Sequence, residues 1–277
     1  SKHSERLPIG KPEIIKNISR EEILNFYKKW YRPDLMSVVV VGDKKVSELE
    51  KVIVDTMNQI PAAEKKQILP KYNIPVQTEQ HISRFVDKEQ KHPIIYFIQQ
   101  KTENLSCSTE EVLKENLVCG IINSIVNSRL SEISVKPESP WLEAVMFQQN
   151  LSNEGIFNLI GFLPKQDMFV PSLTKLFDEY DRFVTFGATE SELERMRQAY
   201  LTSIEQNYQN KDKILSADYT NAIVSQVLTN NTVLSPEDNY KLQKKFVSEI
   251  TLDDIQAVAN KYFTNRGTSC ELLLPEG

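Results

Sequence analysis

Histidine is scarce in this sequence: His3, His81 and His92 are the only three in 277 residues, and none has another four positions away. A helix-borne pair of metal ligands at i and i+4 is therefore absent. Cysteine is as rare. Cys107, Cys119 and Cys270 are an odd number without metal-type spacing, so no disulfide framework is implied. Cys119 and Cys270 lie in apolar stretches, where a thiol serves as a small hydrophobe. The eight glycines are too scattered for a phosphate-cradling loop, and no G-x-S-x-G elbow or Cys–His pairing is present. A basic block is missing as well: 33 Lys and Arg are interleaved among 38 Asp and Glu, for a net charge of -5. That balance argues against nucleic-acid binding, which needs a concentrated basic face. No apolar run approaches the ~20 residues of a bilayer span. The longest, residues 37–41 and 93–98, are strand-sized, and the N-terminus shows no signal pattern.

What remains is ordinary globular composition, 40% hydrophobic and 26% charged, long enough for one large domain or two smaller ones. Near the N-terminus, Ser19 and Glu22 form a capping box, followed by Ile23, Phe26, Tyr27 and Trp30 at helical spacing. Arg32-Pro33-Asp34 ends that helix. Residues 38–41, four valines, read as a buried strand with Gly42-Asp43 as its turn, and 46–57 as a second helix. Pro61, Pro70 and Pro75 then punctuate a polar stretch that reads as an extended connector.

Beyond it, 82–86 and 93–98 read as strands joined by a turn at 87–90. Ser108 with Glu111 opens a long helix striped by Leu113, Leu117, Ile121, Ile125 and Leu130. A strand pair follows at 142–147 and 155–163, joined through 150–153. Then come helices at 171–183, 190–208, 216–228, 235–247 and 252–262, and a last strand at 269–274. Ser235-Pro236-Glu237-Asp238 is a clear helix start, with a cap, a first-turn proline and acids facing the dipole. Paired acids such as Glu21-Glu22 and Asp253-Asp254 are explained by the same dipole. Tyr200, Tyr208 and Tyr219 fall on helices and are expected to pack.

An internal repeat organises these elements. Residues 18–23 (ISREEI) match 250–255 (ITLDDI) at an offset of 250 − 18 = 232. At that offset Lys29-Trp30-Tyr31 meets Lys261-Tyr262-Phe263, and strand 38–41 meets 270–273. Cap, helix, aromatic pair and terminal strand recur in order, so both copies read as the end of a module.

The opening Glu5-Arg6-Leu7-Pro8-Ile9-Gly10, with Phe26-Tyr27, Trp30-Tyr31-Arg32-Pro33 and the valine run to Gly42-Asp43, resembles the close of the first domain of insulinase-family (pitrilysin-type) zinc metallopeptidases. Residues 235–275 resemble the end of the following domain. The resemblance spans nearly the whole chain, is most specific in the first 45 residues, and is nearest to long, four-domain bacterial members. It implies an α+β fold built of modules, each a mixed, mostly antiparallel sheet with helices packed on one face, the modules paired around an enclosed chamber. Residues 1–60 would be the C-terminal part of a first, catalytic-type module, 61–76 a linker, and 77–277 a complete second, non-catalytic module. The chain opens directly on a motif, so a piece of a longer protein is expected.

The family's chemistry needs H-x-x-E-H on a helix, two zinc-binding histidines and a glutamate that activates the metal-bound water. That motif is absent, so no catalytic, cofactor-binding or metal residue is assigned here, and zinc is expected only in the parent protein, bound upstream of Ser1. Some members also grip substrate backbone with an Arg and a Tyr from a later domain. Ser128-Arg129-Leu130 resembles the opening of that motif, but Val135 stands where the second Arg would be and Leu142 where the Tyr would be. Arg129 is thus either a substrate contact or, as the departures favour, a helix-surface or ion-pair residue. The implied role is a non-catalytic portion of a zinc metalloendopeptidase, helping to form a peptide-holding chamber, in contact with peptide substrate and the rest of its own chain. The resemblance points to a periplasmic or envelope setting. Two other readings are a structural module of an inactive relative, like core proteins of respiratory complexes, and a free-standing peptide-binding domain. The last is opposed by the half-module at the N-terminus, which would leave an apolar face and a sheet edge uncovered.

Overall fold

Short-range signals decide most of the helices. The computed structural model describes residues 5, 8–62, 67–69, 74–75, 77–101, 109–152, 155–229, 231–264 and 269–276. In chain order the elements are α1 (Pro12–Asn17), α2 (Arg20–Trp30), α3 (Val46–Met57), β1 (His81–Asp87), β2 (Ile94–Lys101), α4 (Glu110–Ser134), β3 (Trp141–Ser152), β4 (Gly155–Pro164), α5 (Phe169–Phe186), α6 (Glu190–Gln209), α7 (Ser216–Thr229), α8 (Pro236–Glu249), α9 (Leu252–Tyr262) and β5 (Ser269–Pro275), with 3₁₀ turns at Pro33–Leu35 and Lys211–Lys213. The capping box at α2 forms as expected. Glu22 N–H donates to Ser19 Oγ at 3.2 Å and Ser19 N–H to Glu22 Oε2 at 2.8 Å. Thr189 with Glu192 and Thr251 with Asp254 make the same box at α6 and α9. At α4 the cap is Thr109, whose hydroxyl accepts from Val112 N–H, rather than the expected Ser108, which lies outside the described residues.

The chain divides into two units, Ser1–Pro75 with Ile214–Val233, and Val76–Lys213 with Leu234–Gly277. The first unit carries α1, α2, α3 and α7, and none of these helices has a buried residue. The expected uncovered face is present: Ile14, Ile15, Ile23, Phe26, Tyr27 and Tyr31 are all more than half exposed. Within it, Tyr27 stacks on Tyr31 at 4.8 Å, an i, i+4 pairing. Asp34 accepts from Arg32 Nε at 2.6 Å and from the Gln67 N–H at 2.8 Å, which ties described connector residues to the turn after α2. The Gln67 N–H also holds the Asp34 carboxyl below its ordinary pKa.

The expected strand at 38–41 does not form. Those residues have no ladder, and Val38 and Val40 are 49% and 46% exposed. The reason is physical: a helix closes hydrogen bonds within itself, whereas a strand exists only beside a neighbour. No described residue of this unit supplies one.

The second unit is the α+β architecture expected. Its five-stranded sheet has the order β1-β5-β2-β4-β3, with β1 and β5 parallel and the other pairings antiparallel. Strand β5 thus lies inside the sheet, next to the β1 edge, with Phe97 opposite Cys270 and Phe85 opposite Leu273. Helix α4 runs through the core and packs against β3, α5, α6, α8 and α9. Because it is surrounded, its buried set exceeds one stripe: Ile121, Ile122, Ile125 and Leu130 are each 0% exposed. Burial stabilises such a side chain by about 1.5–3 kcal/mol over exposure, so stability concentrates in this unit.

Candidate functional site

Two of the three histidines are described. His81 begins β1 and His92 lies in the turn before β2; both are exposed, and His3 lies outside the described residues. Among the described residues no group of three or more His, Cys, Asp or Glu side chains could hold a metal. The described residues do not fit a zinc centre. Cys119 is buried, and burial followed by the neighbouring Glu271 charge pushes the Cys270 thiol pKa up, the opposite of an activated nucleophile.

Arg129 resolves toward the ion pair. Its side chain is 9% exposed, and its Nε and Nη2 donate to Glu192 Oε1 and Oε2, each at 2.7 Å. Nη2 also donates to the Gly187 carbonyl at 3.0 Å, and the guanidinium lies 5.4 Å from the Phe183 ring centre. The Arg129 hydrogen bond, foremost, holds the Glu192 carboxyl at a pKa of about 2. The same bond raises the Arg129 pKa. A guanidinium held on this many sides is positioned to tie α4 to the start of α6. Val135 caps the end of α4 at 79% exposure and Leu142 lies on β3 at 51%, so neither supplies the second Arg or the Tyr of the gripping motif.

Three residues carry geometry that sequence reasoning missed. Glu192 stands three positions after Thr189, a capping-box spacing visible in the sequence. Arg197 Nη1 donates to the Val247 and Ser248 carbonyls, both at 2.9 Å, and Nη2 to the Ile250 carbonyl at 3.0 Å, satisfying the C-terminal carbonyls of α8. Asn127 bears on peptide recognition. From α4 its amide accepts from Met146 N–H at 2.8 Å and donates to Met146 C=O at 2.7 Å. No sequence signal marks either contact.

Met146 sits in β3, one edge of the sheet, and Asn127 occupies there the two groups an added strand would use. The other edge is β1, and no described strand or side-chain amide pairs its outer side. An extended segment approaching β3 meets a stopper at its middle, and none of the described residues places one on β1. Beside these edges is the face away from the helices. Phe97 meets Phe177 of α5 at 4.8 Å, so the preceding residue, Tyr96, points to the opposite face. Tyr96 there covers Gly161, where a Cβ would lie 2.4 Å from its ring, and meets Phe147 edge-on at 6.1 Å. Toward β1 the same face is mixed, with Glu271 opposite Tyr96 and Ser83, and Leu273 opposite Ile94 and Phe85.

This arrangement, a helix-backed five-stranded mixed sheet with, among the described residues, no cluster of side chains able to hold a metal, defines an α+β module. The chain belongs to the peptidase M16 family: residues 17–200 match the family described as Peptidase M16 inactive domain. The resemblance drawn from residues 5–43 and 235–275 stands. The chain is similar to the probable zinc protease PqqL of Haemophilus influenzae, 27% identical over 266 residues, covering 94% of this chain and 28% of that protein. It is also similar to a zinc protease PQQL-like protein of Arabidopsis thaliana, 24% identical and covering 100% of this chain and 26% of that protein. It thus spans little more than a quarter of the length of these relatives. The first half of the periplasmic protease PqqL from Escherichia coli superposes with a TM-score of 0.86 at 19% identity, covering 99% of this chain and 58% of that one. A likeness at that identity shows the fold.

Proposed function

We propose that this chain is a non-catalytic portion of a zinc-dependent metalloendopeptidase, forming part of the wall of a peptide-holding chamber and presenting the β1 edge to extended substrate. The observation that carries the reading is the match to the inactive domain of a peptidase family, together with described residues that form no metal-holding cluster. Zinc belongs to another part of the parent protein, where it supplies a hydroxide nucleophile near neutral pH. This chain's own contribution is backbone pairing along β1, which is tolerant of substrate sequence because N–H and C=O groups are common to all peptides. The Escherichia coli relative is a periplasmic protease, which supports a periplasmic setting for the parent. No described helix is long and apolar enough to cross a membrane.

The test compares the parent protein with this chain. The parent is expected to cleave unstructured peptides in a chelator-sensitive manner and this chain to leave them intact. Backbone amides of residues 81–87 should exchange more slowly when peptide is added, and those of β3 should not change. Protection at β3 alone, or a parent without chelator-sensitive cleavage, would refute the proposal.

A further inference from the structure

A row of three carboxamides crosses the helix-facing side of the sheet in the second unit. Phe97 meets Phe177 of α5, so Gln99, two residues further along β2, points to the same side. Asn158 of β4 lies directly opposite Gln99 on β2 and directly opposite Gln148 on β3. Directly opposed residues share a face, so the three amides stand side by side. One link of the row is closed by protein: Gln148 Nε2 donates to Asn158 Oδ1 at 3.0 Å. The other is not. Asn158 Nδ2 has no hydrogen-bond partner among the described residues, although Asn158 is only 7% exposed. A buried amide donor left unpaired is costly, and native proteins rarely keep one.

Asn158 and Gln99 both line a small cavity, whose remaining walls include Phe97, Met146, Ile160, Tyr180 of α5 and Phe263 after α9. Its volume is about 10 Å³, the room that one water needs and too little for a peptide side chain. Among the described residues no charged side chain of either sign lines it, so an ion there would be buried without compensation. A neutral molecule of one heavy atom, able to accept a hydrogen bond from an amide, fits both the size and the chemistry.

We infer that this cavity is a binding site for one structural water, which accepts from Asn158 Nδ2 and pairs with the Gln99 carboxamide. The water completes a hydrogen-bonded row from β3 through β4 to β2, along the border between the amides and the apolar wall of Phe97, Ile160 and Met146. It accounts for an asparagine at an inward-facing position two residues before Ile160, where an apolar side chain would otherwise pack. Gln99, which is partly exposed, forms the wall of the cavity nearest solvent.

A high-resolution crystal structure of the 277-residue chain tests this. The expected result is a single water about 2.7–3.2 Å from Asn158 Nδ2 and within the same range of the Gln99 amide. An empty cavity, or a direct Gln99–Asn158 hydrogen bond in its place, would overturn the inference. Crystals grown in bromide add a second arm: an anomalous peak in the cavity would make it a halide site and would equally overturn it. In solution, the Asn158 side-chain amide protons should show a nuclear Overhauser effect to a water that stays longer than the protein takes to tumble. Loss of that signal is expected in Gln99→Met, which keeps the length of the side chain and removes its polar end. The Asn127 amide, bonded to the Met146 backbone, should be unchanged in the same spectrum. No such effect at Asn158 in the unaltered chain, or one that Gln99→Met leaves intact, would overturn the inference.

Discussion

Arg129 and Glu192 meet in a two-pronged ion pair across 63 residues of sequence, and Glu192 simultaneously closes the capping box of α6 by accepting from Thr189 N–H at 2.8 Å. One carboxylate thus links the central helix, the turn at Gly187 and the start of α6. Its removal strands a nearly buried guanidinium and opens a helix N-terminus together.

Glu192→Ala is accordingly expected to lower stability by about 3–5 kcal/mol, the range for breaking a buried pair from one side. Glu192→Gln, which keeps a hydrogen-bonding side chain at the cap, should cost less. The pair also sets an acid dependence. The folded pKa of about 2 lies below the ordinary 4.5. The stabilisation is therefore fully present above about pH 4.5 and is lost as pH falls through 2. Integrated over that window it amounts to at most about 3 kcal/mol. Urea midpoints between pH 7 and pH 2 should fall less steeply in Glu192→Gln than in the parent sequence.

Arg197 holds three carbonyls at the end of α8 with a side chain 15% exposed. Arg197→Met should cost about 1.5–3 kcal/mol, as expected for losing hydrogen bonds from a charged donor. Arg197→Lys should recover only part of this, because an ammonium is a point donor and cannot span three acceptors in a fork. Denaturant titration checks both: the midpoint should shift while the slope stays constant.

Asn127→Ala should expose the Met146 N–H and C=O on the β3 edge. The expected cost is about 1–2 kcal/mol, near that of two neutral hydrogen bonds. A second consequence separates an edge stopper from a plain packing residue: the variant should self-associate more readily, as light scattering against concentration would record. A variant that is destabilised but no more prone to associate would remove the stopper role.

The helices were legible because their signals are local. Ser19 with Glu22 and Ser235-Pro236 mark their own starts, and the apolar stripe of α4 names Ile121, Ile125 and Leu130 as core. The absence of a metal motif was equally legible, since H-x-x-E-H is contiguous. Residues 38–41 show where this reasoning ends: a run of valines states a preference for strand, but a strand needs a neighbour, and no described residue of its unit supplies one. The strand order, with β5 between β1 and β2, was hidden for the same reason, as were Asn127 against Met146 and Arg129 against Glu192. Those contacts join residues 19 and 63 positions apart and leave no periodic trace.

Metal content and peptide hydrolysis of the purified 277-residue chain, after incubation with excess zinc and gel filtration, test the central claim most directly. The expected result is a folded protein retaining only trace zinc and cleaving no peptide with or without chelator. A stoichiometric zinc held by its own side chains, with hydrolysis that chelator abolishes, would contradict it.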